Sequence, residues 1–170
     1  MTTTASAQST RTLTAAALTV GMAAVVGSAL AFEHIGGYIP CKLCLGQRIP
    51  YYVGVPLMAV AFLSSTMGWP AWVTRGLLIV GGLIMVWSLY LGIHHSGVEW
   101  GWWAGPTDCG AVDAPADTGG KGVLDALDGF VPPSCDKAAL RILGLSFAGW
   151  NAVASLILAV IAFRGASARS

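Results

Sequence analysis

The sequence predicts an all-α membrane protein: a four-transmembrane-helix bundle with a long periplasmic loop carrying a short interfacial helix. Three observations carry this reading. Of 170 residues, 55% are hydrophobic and only 10% charged, against about 25% charged in a typical soluble domain. The charges are clustered, which leaves four long apolar runs. Each run is long enough, at about 1.5 Å of rise per residue, to cross a hydrocarbon core roughly 30 Å thick. The formal net charge of +1 gives no ground for a nucleic-acid partner.

The first span runs from Leu13 to Phe32 without a charge. Ser28-Ala29-Leu30-Ala31 resembles a signal-peptidase site, but the apolar run exceeds the usual core of about 7–15 residues, so we read a retained helix. The second span runs from about Ile49 to Met67. Its Pro50 is expected in the first turn, where a missing donor costs little, and Pro56 is expected to kink the interior. The third runs from Trp72 to Ile93, with Arg75 near its start, and the fourth from Ile142 to Phe163. Segments 33–47 and 94–141 then lie outside the bilayer on one side. The second is too long for a structureless connection inside a compact fold. Within it, Trp100, Trp102 and Trp103 form an aromatic belt at the membrane surface. Ala111–Gly122 is rich in Gly, Ala, Asp and Pro. Val123, Leu124, Leu127, Phe130 and Val131 follow at helical spacing, as in a short helix lying in the interface.

Sidedness follows from the basic residues. The N-terminus, the link between spans two and three, and the C-terminus share one side, which holds Arg11, Arg75, Arg164 and Arg169 and no acidic residue. The other side holds every acidic residue together with Lys42, Arg48, Lys121, Lys137 and Arg141. The first side packs its arginines into far fewer residues and is read as cytoplasmic. Cys41, Cys44, Cys109 and Cys135 then all face the outside, where an oxidising compartment permits disulfides.

The chemistry is concentrated in Pro40-Cys41-Lys42-Leu43-Cys44-Leu45-Gly46-Gln47-Arg48. A helix beginning near Cys44 would aim unsatisfied N–H groups and its positive end at that thiol, favouring a thiolate. Arg48 lies four residues on, so on a helix it shares the face of Cys44. Its permanent charge would stabilise a sulfur anion. The alternative is a snorkelling boundary cation, whose removal should hardly affect folding because the sequence shows no buried partner charge. A structural zinc site needs two close-spaced ligand pairs. The second cysteine pair is split by 25 residues, so no metal is expected. Cys109–Cys135 could be a simple staple closing that loop. A staple alone leaves unexplained why two pairs meet at one membrane face, whereas a mobile loop carrying one pair to the other accounts for it.

Pro40-Cys-Lys-Leu-Cys44 with Gln47-Arg48, the second pair between spans three and four, and Gly144-Leu145 with Trp150 together resemble the DsbB family of disulfide bond formation proteins. His95-Ser-Gly-Val-Glu-Trp-Gly-Trp-Trp-Ala-Gly-Pro-Thr-Asp-Cys109 is especially like one bacterial branch of it. The chain departs at Ala148-Gly149, where many relatives carry a proline. The resemblance implies a multi-pass protein of the bacterial inner membrane, both termini cytoplasmic, whose partners are the lipid bilayer, the membrane quinone pool and a DsbA-like thioredoxin-fold thiol oxidase. It implies that Cys109 forms a mixed disulfide with that partner and Cys135 is its mate. Electrons would then pass to Cys41–Cys44, through an interloop Cys41–Cys135 intermediate, and on to ubiquinone or menaquinone. Arg48, Cys44 and His95 are the residues implied at the quinone.

Three rivals are weaker. The vitamin K epoxide reductase family shares the four-helix core and two cysteine pairs but places its Cys-x-x-Cys after the loop pair. In a non-enzymatic tetraspan protein the cysteines would be inert staples, too stable to oxidise a partner. A transporter would want mid-membrane charges, which spans one, three and four lack.

Overall fold

The computed structural model describes residues 2–106 and 134–168. It contains helices α1 (Thr2–His34), α2 (Lys42–Thr66) and α3 (Ala71–Glu99), then a two-stranded antiparallel hairpin of β1 (Arg141–Ile142) and β2 (Leu145–Ser146), and helix α4 (Phe147–Ser167). All four helices are long and apolar enough to cross a membrane. The chain is an all-α, four-helix, multi-pass membrane protein. The short helix expected over 123–131 lies outside the described residues.

Short links run α1, α2 and α3 antiparallel, and the helices form a ring. α1 packs on α2, α2 on α3, α3 most extensively on α4, and α4 closes back onto α1. Leu18, Met22, Met58, Leu78 and Met85 are fully buried at the centre, interleaved with Ala15, Ala61 and Ala162. Without a hydrophobic drive between helices in lipid, close approach over small residues holds such a bundle together. At Gly92 on α3, an added Cβ would stand 3.0–3.1 Å from the backbone of Ala148 and Ala152 on α4. Val20, Leu83 and Leu156 point outward, as lipid-facing residues do.

The helices overrun the apolar runs at one end of the bundle. α2 begins at Lys42 rather than Ile49, because Cys41 caps it and the polar turn through Gln47 and Arg48 is helical. Pro50 therefore lies buried in the helix interior, not in the first turn, and Pro56 lies exposed in the interior about one and a half turns on. α3 continues past Ile93 through both histidines to Glu99. α4 starts later than Ile142. Leu143 and Gly144, at φ 53° and 84°, form the two-residue turn of a hairpin whose twist suits left-handed residues. Ser146 then caps α4, its Oγ accepting from the Gly149 N–H at 3.2 Å.

Candidate active site

The ends of α1 and α3 and the starts of α2 and α4 meet at one face of the bundle, and every described chemical group singled out above is there. Cys41 is the N-cap of α2 and is 4% exposed. Its Sγ accepts from the Cys44 N–H at 3.3 Å and lies 2.8 Å from the Cys44 sulfur, both thiols being free. The helix start thus caps on Cys41 rather than serving Cys44, because α2 begins at Lys42 and not near Cys44. α3 brings His95 to the same sulfur, with Nε2 3.7 Å from Cys41 Sγ. The hydrogen bond with the Cys44 thiol lowers the Cys41 pKa most, burial opposes it, and His95 lowers it further. The outcome is a fall from 9.0 to about 4. Cys41 is the sulfur built to be a thiolate in the reduced protein.

His95 is held by a buried chain of polar side chains. Gln47 Nε2 donates to its Nδ1 at 2.6 Å, so the neutral ring carries its proton on Nε2, facing Cys41. Asn151 Nδ2 donates to Gln47 Oε1 at 2.7 Å, and the Tyr51 hydroxyl donates to Asn151 Oδ1 at 2.7 Å. Tyr51 also meets Ser155 at 2.8 Å, and Ser155 donates to Ser88 at 2.9 Å. A chain this well satisfied fixes the relation of α2, α3 and α4 next to the thiols. One turn beyond His95, Glu99 Oε1 lies 3.8 Å from Nε2; its side chain is 5% exposed and its Oε2 has no hydrogen-bond partner.

Beside the thiols a cavity of about 390 Å³ opens between α1, α2 and α4. Phe32, Tyr38, Phe147 and Trp150 supply aromatic wall, and Cys44 and Arg48 its reactive and charged edge. Phe32 and Phe147 pack with centroids 4.9 Å apart. Arg48 is not a lone boundary cation. Its Nη1 pairs with the Glu33 carboxylate at the end of α1, their side chains 12% and 28% exposed. Sequence reasoning missed this pair, since Glu33 lies 15 positions away on another helix.

Among the other predicted residues, Cys135 is buried, disulfide-bonded, and clustered with Cys41 and Val98, with Leu43 and Cys44 packed against them. Cys109 lies outside the described residues. His95, expected at a quinone, stands behind the cavity wall: it bonds Gln47, which lines the cavity, and touches Cys41, whose neighbour Cys44 lines it too. His94 turns away, stacking on Trp103 at 5.7 Å. Glu99 was also missed, although its i,i+4 spacing from His95 on a helix is a usable signal.

A family match fits this arrangement: residues 11–164 match disulfide bond formation protein DsbB. The chain belongs to the DsbB family. It is therefore a membrane oxidoreductase of disulfide bond formation, and its Cys41-Lys42-Leu43-Cys44 stands at the head of α2. An uncharacterized protein of Rickettsia prowazekii (strain Madrid E) is 25% identical over 129 residues, covering 75% of this chain and 72% of its own. No solved structure matches.

Proposed function

We propose that this DsbB-family protein reoxidises a periplasmic DsbA-like dithiol protein and passes the electrons through two cysteine pairs to a membrane quinone, ubiquinone or menaquinone. The observation that carries the reading is that Cys44 and Arg48 edge the same largely apolar, aromatic-walled cavity. Such a cavity suits a flat quinone ring, with the guanidinium available to its oxygens. When bound, the quinone supplies the two-electron acceptor.

The chain's own residues do the rest by thiol–disulfide exchange. A partner thiolate attacks the Cys109–Cys135 disulfide at Cys109, and the partner's second thiol resolves the mixed disulfide. The partner leaves oxidised and the loop pair reduced. Cys135 then attacks the Cys41–Cys44 disulfide at Cys41, releasing Cys44 as the thiolate at the cavity. Cys109 closes back onto Cys135 and releases Cys41, whose thiolate the His95 Nε2–H stabilises. Reforming Cys41–Cys44 sends two electrons on to the quinone. The shared buried cluster of Cys41 and Cys135 supports the interloop step, because the sulfurs need little displacement to exchange.

Purified protein given a reduced DsbA-like protein and excess quinone should reduce the quinone in step with partner oxidation. Cys44→Ser should abolish turnover. Partner oxidation that consumes no quinone would sink the proposal.

A further inference from the structure

Along the sequence the Cys41–Cys44 pair has no second close-spaced ligand pair to complete a metal site. α3 supplies one. His95 and Glu99, one turn apart, face Cys41 and Cys44. Cys41 Sγ, Cys44 Sγ and a ring nitrogen of His95 all lie within 4.8 Å of one another. Glu99 Oε1 is 3.8 Å from His95 Nε2, and its Oε2 is buried with no hydrogen-bond partner. We infer that the reduced active site is also a binding site for a thiophilic divalent cation of the zinc class, held by Cys41, Cys44, His95 and Glu99, and that the site exists only while Cys41 and Cys44 are reduced.

The geometry needs little change. A tetrahedral zinc ion with bonds of about 2.3 Å to sulfur and about 2.0–2.1 Å to nitrogen spaces its ligand atoms roughly 3.5–3.8 Å apart. The Cys41–His95 separation is already 3.7 Å and the His95–Glu99 separation 3.8 Å. The two sulfurs, 2.8 Å apart, must part by side-chain rotation, and Glu99, beside His95 but outside the Cys41–Cys44–His95 cluster, must turn its carboxylate toward the ion. Ligation through Nε2 moves the ring proton to Nδ1; Gln47 then turns its amide so that Oε1 accepts it. Asn151, until then the donor to that oxygen, turns its amide as well, with Tyr51 donating to Ser155 instead. Two thiolates and a carboxylate bring three negative charges together, of which a divalent ion offsets two, and the ion gives the buried, unbonded Glu99 oxygen a partner. With Cys41 already a thiolate, binding releases the Cys44 thiol proton and no electrons. Because the ion takes up both sulfurs that the catalytic disulfide needs, metal and turnover exclude each other, and reforming Cys41–Cys44 ejects the ion.

The inference goes beyond the quinone reading and is tested without quinone or partner. Full-length protein in detergent, reduced with a phosphine under anaerobic conditions, is titrated with Co²⁺. One equivalent should give sulfur-to-cobalt charge-transfer absorption and the intense visible bands of a tetrahedral ion, and Zn²⁺ should displace it. Oxidising Cys41–Cys44 with diamide should abolish both signals. Glu99→Gln should weaken Zn²⁺ binding by more than about ten-fold, with the charge-transfer band retained. The inference is overturned by no tetrahedral spectrum in the reduced wild-type protein, by equal binding after oxidation, or by unchanged affinity in Glu99→Gln.

Discussion

Cys41 receives the backbone N–H of Cys44, the Cys44 thiol and the His95 ring around one buried sulfur, and its reactivity with pH should show it. A thiol with its pKa lowered to about 4 is already thiolate at neutral pH. Alkylation of Cys41 in reduced, metal-free protein should therefore be nearly flat from about pH 6 to about pH 8, falling only as pH drops through the lowered pKa. An ordinary thiol, with a pKa near 8.5, would instead gain almost ten-fold per unit over most of that range. His95→Ala removes one donor and should move the profile to higher pH; an unmoved profile would show that the ring does nothing for the sulfur. At Arg48 the structure changes the expectation from sequence. Arg48→Met leaves Glu33 half-buried without its partner, so stability should fall by between roughly 1 kcal/mol, as for a surface pair, and about 3, as for a buried one. Adding Glu33→Gln should restore the thermal midpoint but not the quinone affinity. If the double variant recovers both, Arg48 serves only the salt bridge.

The helices themselves follow from composition: each apolar run reappears in one, although the first residues of the fourth run, 142–146, form the hairpin ahead of α4. Their ends do not, for a physical reason. Hydropathy reports where lipid is, whereas a helix stops where its caps are. The polar turns Lys42–Arg48 and His94–Glu99 stay helical above the apolar zone because Cys41 and neighbouring helices satisfy them. The hairpin ahead of α4 was hidden because Leu143 takes a left-handed conformation that nothing in a Leu-Gly pair compels. The cysteine positions, Arg48 and His95 were legible as motif residues. Their partners Glu33, Glu99 and Asn151 were not, since cross-helix pairing is set by the ring order of the bundle. Gly92 tests that order. With Ala148 and Ala152 backbone atoms 3.0–3.1 Å from its missing Cβ, Gly92→Leu must push α3 from α4 and strain the Asn151–Gln47–His95 chain. Unfolding in detergent should show a loss of at least about 1–3 kcal/mol, with slower Cys41 alkylation. Gly76, with nothing within 4 Å of a built Cβ, should tolerate alanine as a control.

Across the whole molecule, the relay needs the loop and α2 cysteines on one side of the membrane. Trapping addresses the order of transfer. Cys135→Ser leaves a lone Cys109 thiolate that attacks the oxidised partner. With no Cys135 the mixed disulfide has no forward route, only reversal by the partner's second thiol, so a covalent complex should accumulate, whereas Cys109→Ser should give none. A complex formed through Cys41 instead would reverse the relay. Sidedness needs reporters other than the natural cysteines, because Cys41 and Cys135 are 4% and 2% exposed and would label slowly from either side. Lys42 and Arg75 are both exposed and stand near opposite ends of the α2–α3 hairpin. The 25 residues of α2 span about 37 Å at 1.5 Å per residue, the thickness of a bilayer core with its boundaries. In a background with all four cysteines changed to serine, Lys42→Cys should react in intact spheroplasts with a charged maleimide that cannot cross lipid. Arg75→Cys should react only after permeabilisation. The opposite pattern would put the thiols in the cytoplasm, where reducing conditions work against disulfide formation, and the proposed partner would be on the wrong side of the membrane.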